Sequence, residues 1–506
     1  MVRTLYDLFA ASVARHGDEV AIEVGEDRLT YRELSDLADG LAAAVLAEHR
    51  TAPRRIGLLA AGRTLFAYAG YLAVQRLGAT VVPLNAAFPV ARNAAVAAAA
   101  GLDLVLVEDG MEVELPAPML YRSPRSAPAA ALPPYRGNAD DIAYILFTSG
   151  STGVPKGVPI RHGNVTAYLG HVVPRYDIGP GSRVSQTFDL TFDLSVFDLF
   201  ATWAGGGTLV VPNRAELMAP SRYVAGRELT HWFSVPSAVS FARRLRALPP
   251  DSMPTLRWSL FCGEQLTRNQ AEAWRAAAVN GELENLYGPT ELTISCAEYR
   301  LPRNVADWPH TANGTIPIGN LYPGQEQLLI GPDGPSDTAG ELCVRGPQRF
   351  PGYLNAVDNV GRFVRWDGGE VVVLDETTPL TDDLWYRTGD WVVADHGGLV
   401  HQGRVDQQIK IRGFRIELGE VEAVLLAQPG VRDALVLAVS EGADEPRLAA
   451  VCTGVGLAPD VLLTALRTRL PAYMVPAEVV IQDDFPRNAN GKVDRKAILR
   501  ELVSPA

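Results

Sequence analysis

Residues 147–157 combine, in one short loop, the residue types that bind phosphate: Phe-Thr-Ser-Gly-Ser-Thr-Gly-Val-Pro-Lys-Gly. The glycines allow tight turns that bring backbone N–H groups close to a polyphosphate, and the hydroxyl side chains add donors. Lys156 adds a mobile cation for phosphate oxygens. A flexible linker is the alternative, but a linker needs neither a preceding hydrophobic strand nor a lysine after a proline. The candidate phosphate-binding residues are Thr148, Ser149, Gly150, Ser151, Thr152 and Gly153.

This loop is not a Walker A motif, because Pro155 stands where that motif has glycine before its lysine. It resembles instead the phosphate-binding loop of the adenylate-forming superfamily, which includes acyl-CoA synthetases, luciferases and amino-acid adenylation domains. Further matches follow in the family's order, from residues 29–34 (Leu-Thr-Tyr-Arg-Glu-Leu) to residues 490–495 (Asn-Gly-Lys-Val-Asp-Arg). The resemblance covers almost the whole chain and implies an enzyme that uses ATP and Mg²⁺ to convert a carboxylic acid into its acyl-AMP.

The same resemblance assigns the nucleotide contacts to residues 285–291 (Asn-Leu-Tyr-Gly-Pro-Thr-Glu) and 386–390 (Tyr-Arg-Thr-Gly-Asp). It implies that Tyr287 stacks on adenine, Glu291 holds Mg²⁺ and Asp390 accepts hydrogen bonds from the ribose hydroxyls. Either motif alone is also typical of an ordinary turn, so their combination with the phosphate loop carries the assignment. The other expected ATP contacts are Gly288, Thr290 and Arg404.

A small C-terminal lid is the next implication. Lys492 resembles the family's lid lysine, which bridges the attacking carboxylate and the α-phosphate and stabilises charge as it develops. Asp406 matches the pivot about which the lid swings. The expected catalytic residues are therefore Lys492, Glu291 and Lys156.

Residues 192–198 (Phe-Asp-Leu-Ser-Val-Phe-Asp) resemble the amino-acid-activating branch, in which the first aspartate pairs with the substrate α-ammonium group. Asp193 takes that position, and a carboxylate in an apolar pocket favours a substrate that brings a cation. A structural capping role is the alternative, and it suits Asp198 better than Asp193. The resemblance places further pocket residues at Leu194, Phe197, Ser234, Leu260, Cys262, Leu286, Ile294 and Ser295.

Bulky Phe197 and the absence of further charge predict a short, neutral side chain such as that of Ala, Ser, Cys or Gly. Residues 192–196 and 261–264 (Phe-Cys-Gly-Glu) also resemble D-alanine–carrier protein ligases. Asp189 is a second acid nearby, and a β-amino acid is the expected substrate if Asp189, rather than Asp193, faces the pocket. Two rival functions are an acyl- or aryl-CoA ligase of the same fold and a non-catalytic binding protein.

The predicted reaction is ATP-dependent formation of an aminoacyl-AMP, followed by transfer to the phosphopantetheine thiol of a carrier protein. The chain ends soon after Lys492, at Ala506. We therefore expect an amino acid–carrier protein ligase that acts on a separate carrier protein.

The elements that must position these residues follow an α/β pattern. Strand-like runs at residues 55–60, 79–84, 103–108 and 141–147 alternate with helical runs at 64–76 and 90–100, which predicts parallel-rich sheets flanked by helices. The Pro/Ala-rich stretch 115–134 is predicted to be a surface connection. Short strands at 409–411, 434–439 and 447–452 with helices at 417–427 and 459–470 predict a small α+β domain. The expected division is a domain at 1–403, a hinge at 404–408 and a mobile lid at 409–506.

Bulk composition agrees with a multidomain globular enzyme. The chain has 506 residues, 47% hydrophobic and 21% charged, and more than one domain is expected at this length. Its net charge of −12 argues against a nucleic acid or a membrane surface as the main partner. The four widely spaced cysteines predict reduced, buried thiols, and the lack of a signal peptide or long apolar span predicts a cytoplasmic protein.

Overall fold

The computed structural model describes residues 4–49, 52–125, 132–150, 155–395, 397–406, 408–439, 446–486 and 493–503. Near the start, helices α1 (Leu5–His16) and α2 (Tyr31–Glu48) flank a hairpin of β1 (Val20–Val24) and β2 (Asp27–Thr30). Each helix begins at a capping box, in which a threonine and an acidic residue three positions later exchange side-chain and backbone hydrogen bonds. These bonds satisfy N–H groups that lack a partner in the first helical turn.

The predicted alternation of strands and helices is confirmed in the next part of the chain. Its elements are β3 (Arg55–Ala60), α3 (Leu65–Arg76), β4 (Thr80–Asn85), α4 (Val90–Ala100), β5 (Leu104–Glu108), β6 (Met119–Arg122), β7 (Ile142–Thr148) and β8 (Lys156–Arg161). They form a sheet of order β6-β5-β3-β4-β7-β8, parallel except for the β7–β8 hairpin. Residues 115–134 were predicted to be a surface connection, and this prediction is wrong for β6, which is a strand that pairs with β5. Prolines on its N-terminal side, Pro116 and Pro118, hide this short run from pattern analysis.

A second parallel-rich sheet follows. Its helices and strands, together with β14 and β15 at one edge, are α5 (His162–Arg175), β9 (Arg183–Ser185), α6 (Leu194–Val196), α7 (Thr202–Gly205), β10 (Thr208–Val211), α8 (Arg214–Met218), α9 (Pro220–Gly226), β11 (His231–Ser234), α10 (Ser237–Arg244), β12 (Trp258–Phe261), α11 (Arg268–Ala277), β13 (Glu282–Tyr287), β14 (Ala297–Arg300) and β15 (Asn320–Leu321). The order is β15-β14-β13-β12-β11-β9-β10-β1-β2. Strands β11 and β12 are buried at every residue, as expected for a sheet covered on both faces.

An antiparallel sheet completes the N-terminal unit, which we define as residues 4–406. Its strands are β16 (Glu326–Gly331), β17 (Gly334–Ser336), β18 (Ala339–Arg345), β19 (Phe363–Arg365), β20 (Val372–Val373), β21 (Trp385–Asp395) and β22 (Gly398–Arg404). Single turns of other helix types occur at Phe197–Ala201 (π) and at Thr290–Leu292, Val305–Asp307, Ala356–Asn359 and Ala472–Met474 (3-10).

Residues 408–503 form the C-terminal unit, which has a hydrophobic core of its own around Val421, Val436 and Leu466. Its elements are β23 (Gln408–Ile411), β24 (Phe414–Glu417), α12 (Leu418–Leu426), β25 (Val431–Val439), β26 (Arg447–Gly454), α13 (Pro459–Arg467), β27 (Glu478–Gln482) and α14 (Arg495–Val503). The predicted strands and two helices are confirmed. Helix α14 was missed, since only Ile498 of this short, charged segment is fully buried.

Two further expectations concern bulk features. Cys262, Cys296, Cys343 and Cys452 are all buried free thiols, as predicted. Within the described ranges, no helix combines the length and apolarity that crossing a membrane requires.

Candidate functional site

A cavity lies between the two units, at the carboxyl ends of strands from both parallel-rich sheets. Asn85, Thr148 and Cys262 follow or end β4, β7 and β12, and the β23–β24 hairpin and Tyr473 close the cavity from the C-terminal unit. Ligands of open α/β sheets bind at such carboxyl ends, because the loops there converge. Sequence-predicted residues of both the phosphate loop and the acyl pocket therefore lie on one cavity.

Asp193 is the acid that faces this cavity. It precedes the short helix α6, is only 8% exposed, and hydrogen-bonds to the side chain of Thr290. Burial raises the pKa of Asp193 to about 6, while the Thr290 hydrogen bond and Lys410 oppose the rise. Within the described ranges Asp193 forms no ion pair, and a buried carboxylate of this kind is suited to a ligand that supplies a cation.

The other two acids of this region are engaged elsewhere. Asp189 is exposed, and its Oδ1 accepts hydrogen bonds from the Thr191 N–H at 3.0 Å and hydroxyl at 2.5 Å. The condition for a β-amino acid substrate, an Asp189 side chain facing the pocket, is therefore not met. Asp198 is fully buried, and its Oδ2 accepts from the backbone N–H of Thr187 at 3.0 Å. Asp198 thus has a structural role, although it bonds to the loop after β9 and caps no helix.

Some of the predicted acyl-pocket residues line this cavity, and others do not. Asp193, Leu194, Cys262 and Ile294 line the cavity. The other predicted pocket residues, namely Phe197, Ser234, Leu260, Leu286 and Ser295, are buried but do not line this cavity.

The reason for this division is aromatic packing. The ring centre of Phe197 lies 4.8 Å from that of Phe233 and 6.5 Å from that of Tyr168. Ser295 is held by hydrogen bonds to Tyr322 at 2.8 Å and to Tyr168 at 3.5 Å. These contacts hold Phe197 and Ser295 against neighbouring aromatic side chains.

The phosphate loop is contacted by the C-terminal unit. The Ser149 hydroxyl donates to the Arg415 carbonyl at 2.8 Å and accepts from the Glu417 N–H at 3.1 Å, while the Gly150 N–H donates to Glu420 at 3.2 Å. Ser151, Thr152 and Gly153 lie outside the described residues, as does Lys492.

Lys156, the predicted phosphate-loop cation, is on the far strand of the β7–β8 hairpin. Its ammonium nitrogen lies 3.1 Å from a carboxylate oxygen of Asp358 and 5.6 Å from the ring centre of Tyr353. Lys156 is 8% exposed, so a partner on each side fixes its position.

Glu291, the predicted metal ligand, is fully buried on the 3-10 turn after β13. Its carboxylate accepts from Arg415 Nη1 at 2.9 and 3.0 Å and from the Tyr353 hydroxyl at 2.5 Å. Burial acts to raise the pKa of Glu291, but Arg415 and Tyr353 outweigh it and hold the pKa below its usual value. Among the described residues no cluster of three metal-ligating side chains occurs. A single anionic carboxylate fits Mg²⁺, which proteins often bind through one carboxylate and substrate phosphates.

A second cavity contains the predicted nucleotide residues Tyr287, Gly288, Asp390 and Arg404. Asp390 accepts from the Tyr287 hydroxyl at 2.6 Å and from Arg404 Nη1 at 2.7 Å. Arg404 in turn makes two bonds to the predicted hinge residue Asp406, at 2.7 and 2.8 Å. Despite burial, the hydrogen bond from His401 and the charge of Arg404 hold the pKa of Asp390 well below its usual range.

Sequence reasoning missed His401, which also lines the second cavity. Its Nε2 lies 3.1 Å from Asp390 Oδ1, and its Nδ1 accepts from the Gln265 side-chain amide at 2.8 Å. The amide donor assigns the ring proton to Nε2, which can then donate to Asp390. Lys410, Arg415 and Glu420 were also missed, because the same hairpin and helix carry the further charged residues Arg412, Glu417 and Glu422 and no local pattern separates the two groups.

Known proteins show the same architecture. The profile of the family described as AMP-binding enzyme matches residues 9–354, and that of AMP-binding enzyme C-terminal domain matches residues 420–492. An L-proline–[L-prolyl-carrier protein] ligase from Pseudomonas fluorescens is 32% identical over 529 residues, covering 99% of this chain and 100% of that protein. Gramicidin S synthase 2 from Brevibacillus brevis is 30% identical over 99% of this chain, which spans 11% of that protein's length.

A solved structure agrees with these relatives. The Vibrio cholerae adenylation domain AlmE, in complex with glycyl-adenosine-5'-phosphate, matches with a TM-score of 0.83 at 26% identity, over 99% of this chain and 98% of that one. Fold, family profiles and whole-length relatives all give the same assignment. This chain therefore belongs to the AMP-binding, adenylate-forming enzymes, which use ATP and Mg²⁺.

Proposed function

We propose that this enzyme activates a small, neutral α-amino acid as its aminoacyl-AMP and transfers the aminoacyl group to the phosphopantetheine thiol of a separate carrier protein. The observation that carries the proposal is the Asp193 carboxylate, which is buried on the same cavity as the phosphate loop and forms no ion pair with the residues that the structure describes. The α-ammonium group of an amino acid would supply the missing positive charge. A fatty or aryl acid would leave the carboxylate unpaired.

The size of the substrate follows from the cavity wall. Phe197 and Ser295 lie in contacts with other aromatic side chains, so no open depth continues past Leu194, Cys262 and Ile294. One methylene changes discrimination by only about 1–3 kcal/mol, so alanine, serine, cysteine and glycine are all within the proposed range.

In the first step the amino-acid carboxylate attacks the α-phosphate of ATP, and pyrophosphate leaves. Asp193 orients the ammonium group, Asp390 and Arg404 hold the ribose, and the loop at 147–157 with Lys156 holds the leaving phosphates. Glu291 would hold Mg²⁺, which neutralises phosphate charge. Positioning and electrostatic stabilisation supply most of the rate in phosphoryl-type transfers.

Lys492, which lies outside the described residues, would complete the charge stabilisation in that step. Glu420 and Glu422 are two residues apart on α12, so their side chains point about 200° apart around the helix. Glu420 faces the phosphate loop, while Glu422 accepts from Arg495 at 3.3 Å. Arg495, at the start of α14, thus lies on the face of α12 turned away from the phosphate loop. We propose that residues 409–506 rotate as a lid about Asp406, in the hinge 404–408, to present Lys492 for adenylation.

Transfer to the thiol then takes place with the lid in the arrangement seen here. The thiol loses its proton to water, its sulfur forms the thioester bond to the acyl carbon, and AMP leaves with the electrons of the broken acyl–phosphate bond.

Substrate-dependent pyrophosphate exchange tests the proposal. A panel of L-, D- and β-amino acids, fatty acids and aryl acids should give exchange with small α-amino acids above all others. Exchange with a fatty or aryl acid would indicate an acyl- or aryl-CoA ligase. Exchange with β-amino acids alone would indicate an adenylation enzyme specific for β-amino acids. No exchange with any acid would indicate a non-catalytic binding protein. Each of these three results contradicts the proposal.

A further inference from the structure

A strongly basic surface lies on this acidic protein. Residues 213–247 contain six arginines and only two acidic residues, although the whole chain has a net charge of −12. Arg227 pairs with Glu216 at 2.8 Å, so one of the two acids is already neutralised within the segment. The other five arginines are exposed, and we call them the arginine patch: Arg214, Arg222, Arg243, Arg244 and Arg246.

A hydrogen bond brings the two ends of the arginine patch together. The Ser221 hydroxyl, on α9, donates to the Ala247 carbonyl just beyond α10 at 2.9 Å. Arg222 directly follows Ser221, and Arg246 directly precedes Ala247, so this bond holds the arginines of the two helices near one another.

Local helix stability does not explain the whole patch. Arginines in the last turn of a helix compensate the helix dipole, and this accounts for Arg243 and Arg244 on α10. Arg214 and Arg222 instead lie in the first turns of α8 and α9, where the dipole disfavours a cation. Their exposed positive charges are therefore available for a partner.

Two large apolar side chains are exposed beside these arginines. Met218 lies three residues before Ser221, and Leu245 lies two residues before Ala247, so both flank the hydrogen bond between α9 and α10. Apolar side chains within a charged and polar rim are typical of protein–protein interfaces.

Helix α10 connects the arginine patch with the candidate site. At its beginning the Ser237 N–H donates to Glu264 at 2.8 Å, and the other carboxylate oxygen of Glu264 accepts from the Gly413 N–H at 2.7 Å. Gly413 lines the first cavity together with Gly263. The eight residues of α10 span about 12 Å, so the patch lies roughly that far from the cavity wall.

We propose that the arginine patch is the docking surface for an acidic carrier protein, whose phosphopantetheine arm extends beside α10 into the first cavity. The proposal rests on the proposed function, because it takes a carrier thiol as the acceptor. Charge selects this occupant: the patch attracts an acidic face, while the negative charge of the rest of the protein repels an acidic partner that approaches elsewhere. An extended phosphopantetheine arm is long enough to span α10.

Charge reversal separates docking from chemistry. The acceptor is a phosphopantetheinylated carrier protein of net negative charge that the wild-type enzyme loads. In an Arg222→Glu, Arg243→Glu double variant, we expect the KM for this carrier to rise at least tenfold. Pyrophosphate exchange and transfer to free phosphopantetheine should not change, because neither needs the surface of the carrier.

Two further variants serve as controls. Arg15→Glu reverses an exposed arginine in the last turn of α1 and should leave the KM for the carrier unchanged. An Arg222→Lys, Arg243→Lys variant keeps the charge and should retain the wild-type KM.

Three results of the charge reversal would overturn the proposal. An unchanged KM for the carrier would show that the carrier docks elsewhere. An equal rise in the KM for free phosphopantetheine would show that the arginines bind the phosphate of the arm. An equal loss of pyrophosphate exchange would show that the substitutions act through the site or the fold.

Ionic strength provides a check without any substitution. Salt screens charges on exposed surfaces, so the KM for the carrier should rise at least tenfold between about 50 and 500 mM salt, while the KM for uncharged pantetheine changes little. The same salt dependence for both acceptors would contradict docking by charge. Binding of a DNA duplex that the double variant loses, with carrier loading unaffected, would assign the patch to nucleic acid instead and overturn the proposal.

The same assays distinguish failure of the proposed function from failure of this proposal. Pyrophosphate exchange with an amino acid, combined with loading of no carrier protein, would overturn the proposed transfer step. Wild-type loading that does not depend on the arginines would overturn the docking surface alone.

Discussion

The Tyr287 hydroxyl donates a 2.6 Å hydrogen bond to Asp390, although the two residues are 103 positions apart in the chain. The sequence motifs assign one of them to the adenine and the other to the ribose. The structure joins them, so the residue proposed to stack on the base also orients the carboxylate proposed to bind the sugar.

This bond predicts different results for two substitutions of Tyr287. Tyr287→Phe keeps the ring and loses one hydrogen bond to a charged group, and we expect the Kd for AMP to rise about tenfold. Tyr287→Ala also loses the ring, and we expect a rise of about a hundredfold. Titration with AMP measures both. Equal effects of the two substitutions would show that adenine does not stack on this ring.

The pKa of Asp193 leads to a stability prediction. Burial raises the pKa of Asp193 to about 6 from its ordinary 3.8, so the folded protein binds the proton more tightly than the unfolded chain. The ionised carboxylate therefore lowers the free energy of unfolding by about 3 kcal/mol above pH 6, and this penalty disappears as the pH falls towards 4. Asp193→Asn should raise the Tm of the ligand-free enzyme at pH 8 and leave it nearly unchanged at pH 4. Thermal unfolding at both values, with the exposed Asp189→Asn as control, checks the sign.

How far the sequence predicts this site depends on the residue. The phosphate loop was predicted from its residue types, and Asp193, Tyr287 and Asp390 were predicted from short motifs that resemble those of the family. Phe197 and Ser295 were assigned to the pocket lining, but packing with Tyr168 and Tyr322 removes them from the cavity. Such packing involves residues far apart in the chain, and no local pattern contains it.

The contacts between the two units were also beyond local patterns. Arg415 lies 124 residues from Glu291, and Glu420 lies 270 residues from Gly150. No element from α5 to β22 was predicted individually, whereas most strands and helices at residues 55–147 and 408–486 were predicted by periodicity. Strand β6 and helix α14 were not, because each is short and its burial depends on a neighbouring element.

The pocket wall predicts a change in substrate range. Phe197→Ala removes the ring that packs on Phe233 and should admit larger side chains such as those of valine and leucine. The empty space that the missing ring leaves should lower the free energy of unfolding by about 3–5 kcal/mol. Pyrophosphate exchange with alanine, valine and leucine measures the range, and a thermal unfolding curve confirms that the variant is folded. A folded variant with the wild-type preference for alanine would contradict the proposal that Phe197 limits the size of the substrate side chain.

The lid lysine predicts separation of the two half-reactions. Lys492→Ala should slow adenylation about a hundredfold or more, since a preorganised charge at the α-phosphate is lost. Transfer of the aminoacyl group from supplied aminoacyl-AMP to a carrier thiol should be far less affected. Lys496→Ala, four residues further on, is the matched control. Equal loss in both half-reactions would contradict a lid with two working positions.

The role of Asp193 is tested most directly by comparing alanine with propionate, which lacks the α-ammonium group, in the wild-type enzyme and in Asp193→Asn. A site built around a buried charged partner rejects an analogue that lacks the complementary group by about 10⁴–10⁵. We predict a preference of that order for alanine in kcat/KM for pyrophosphate exchange, reduced at least a hundredfold in Asp193→Asn. The same preference in both proteins would show that Asp193 does not receive the ammonium group.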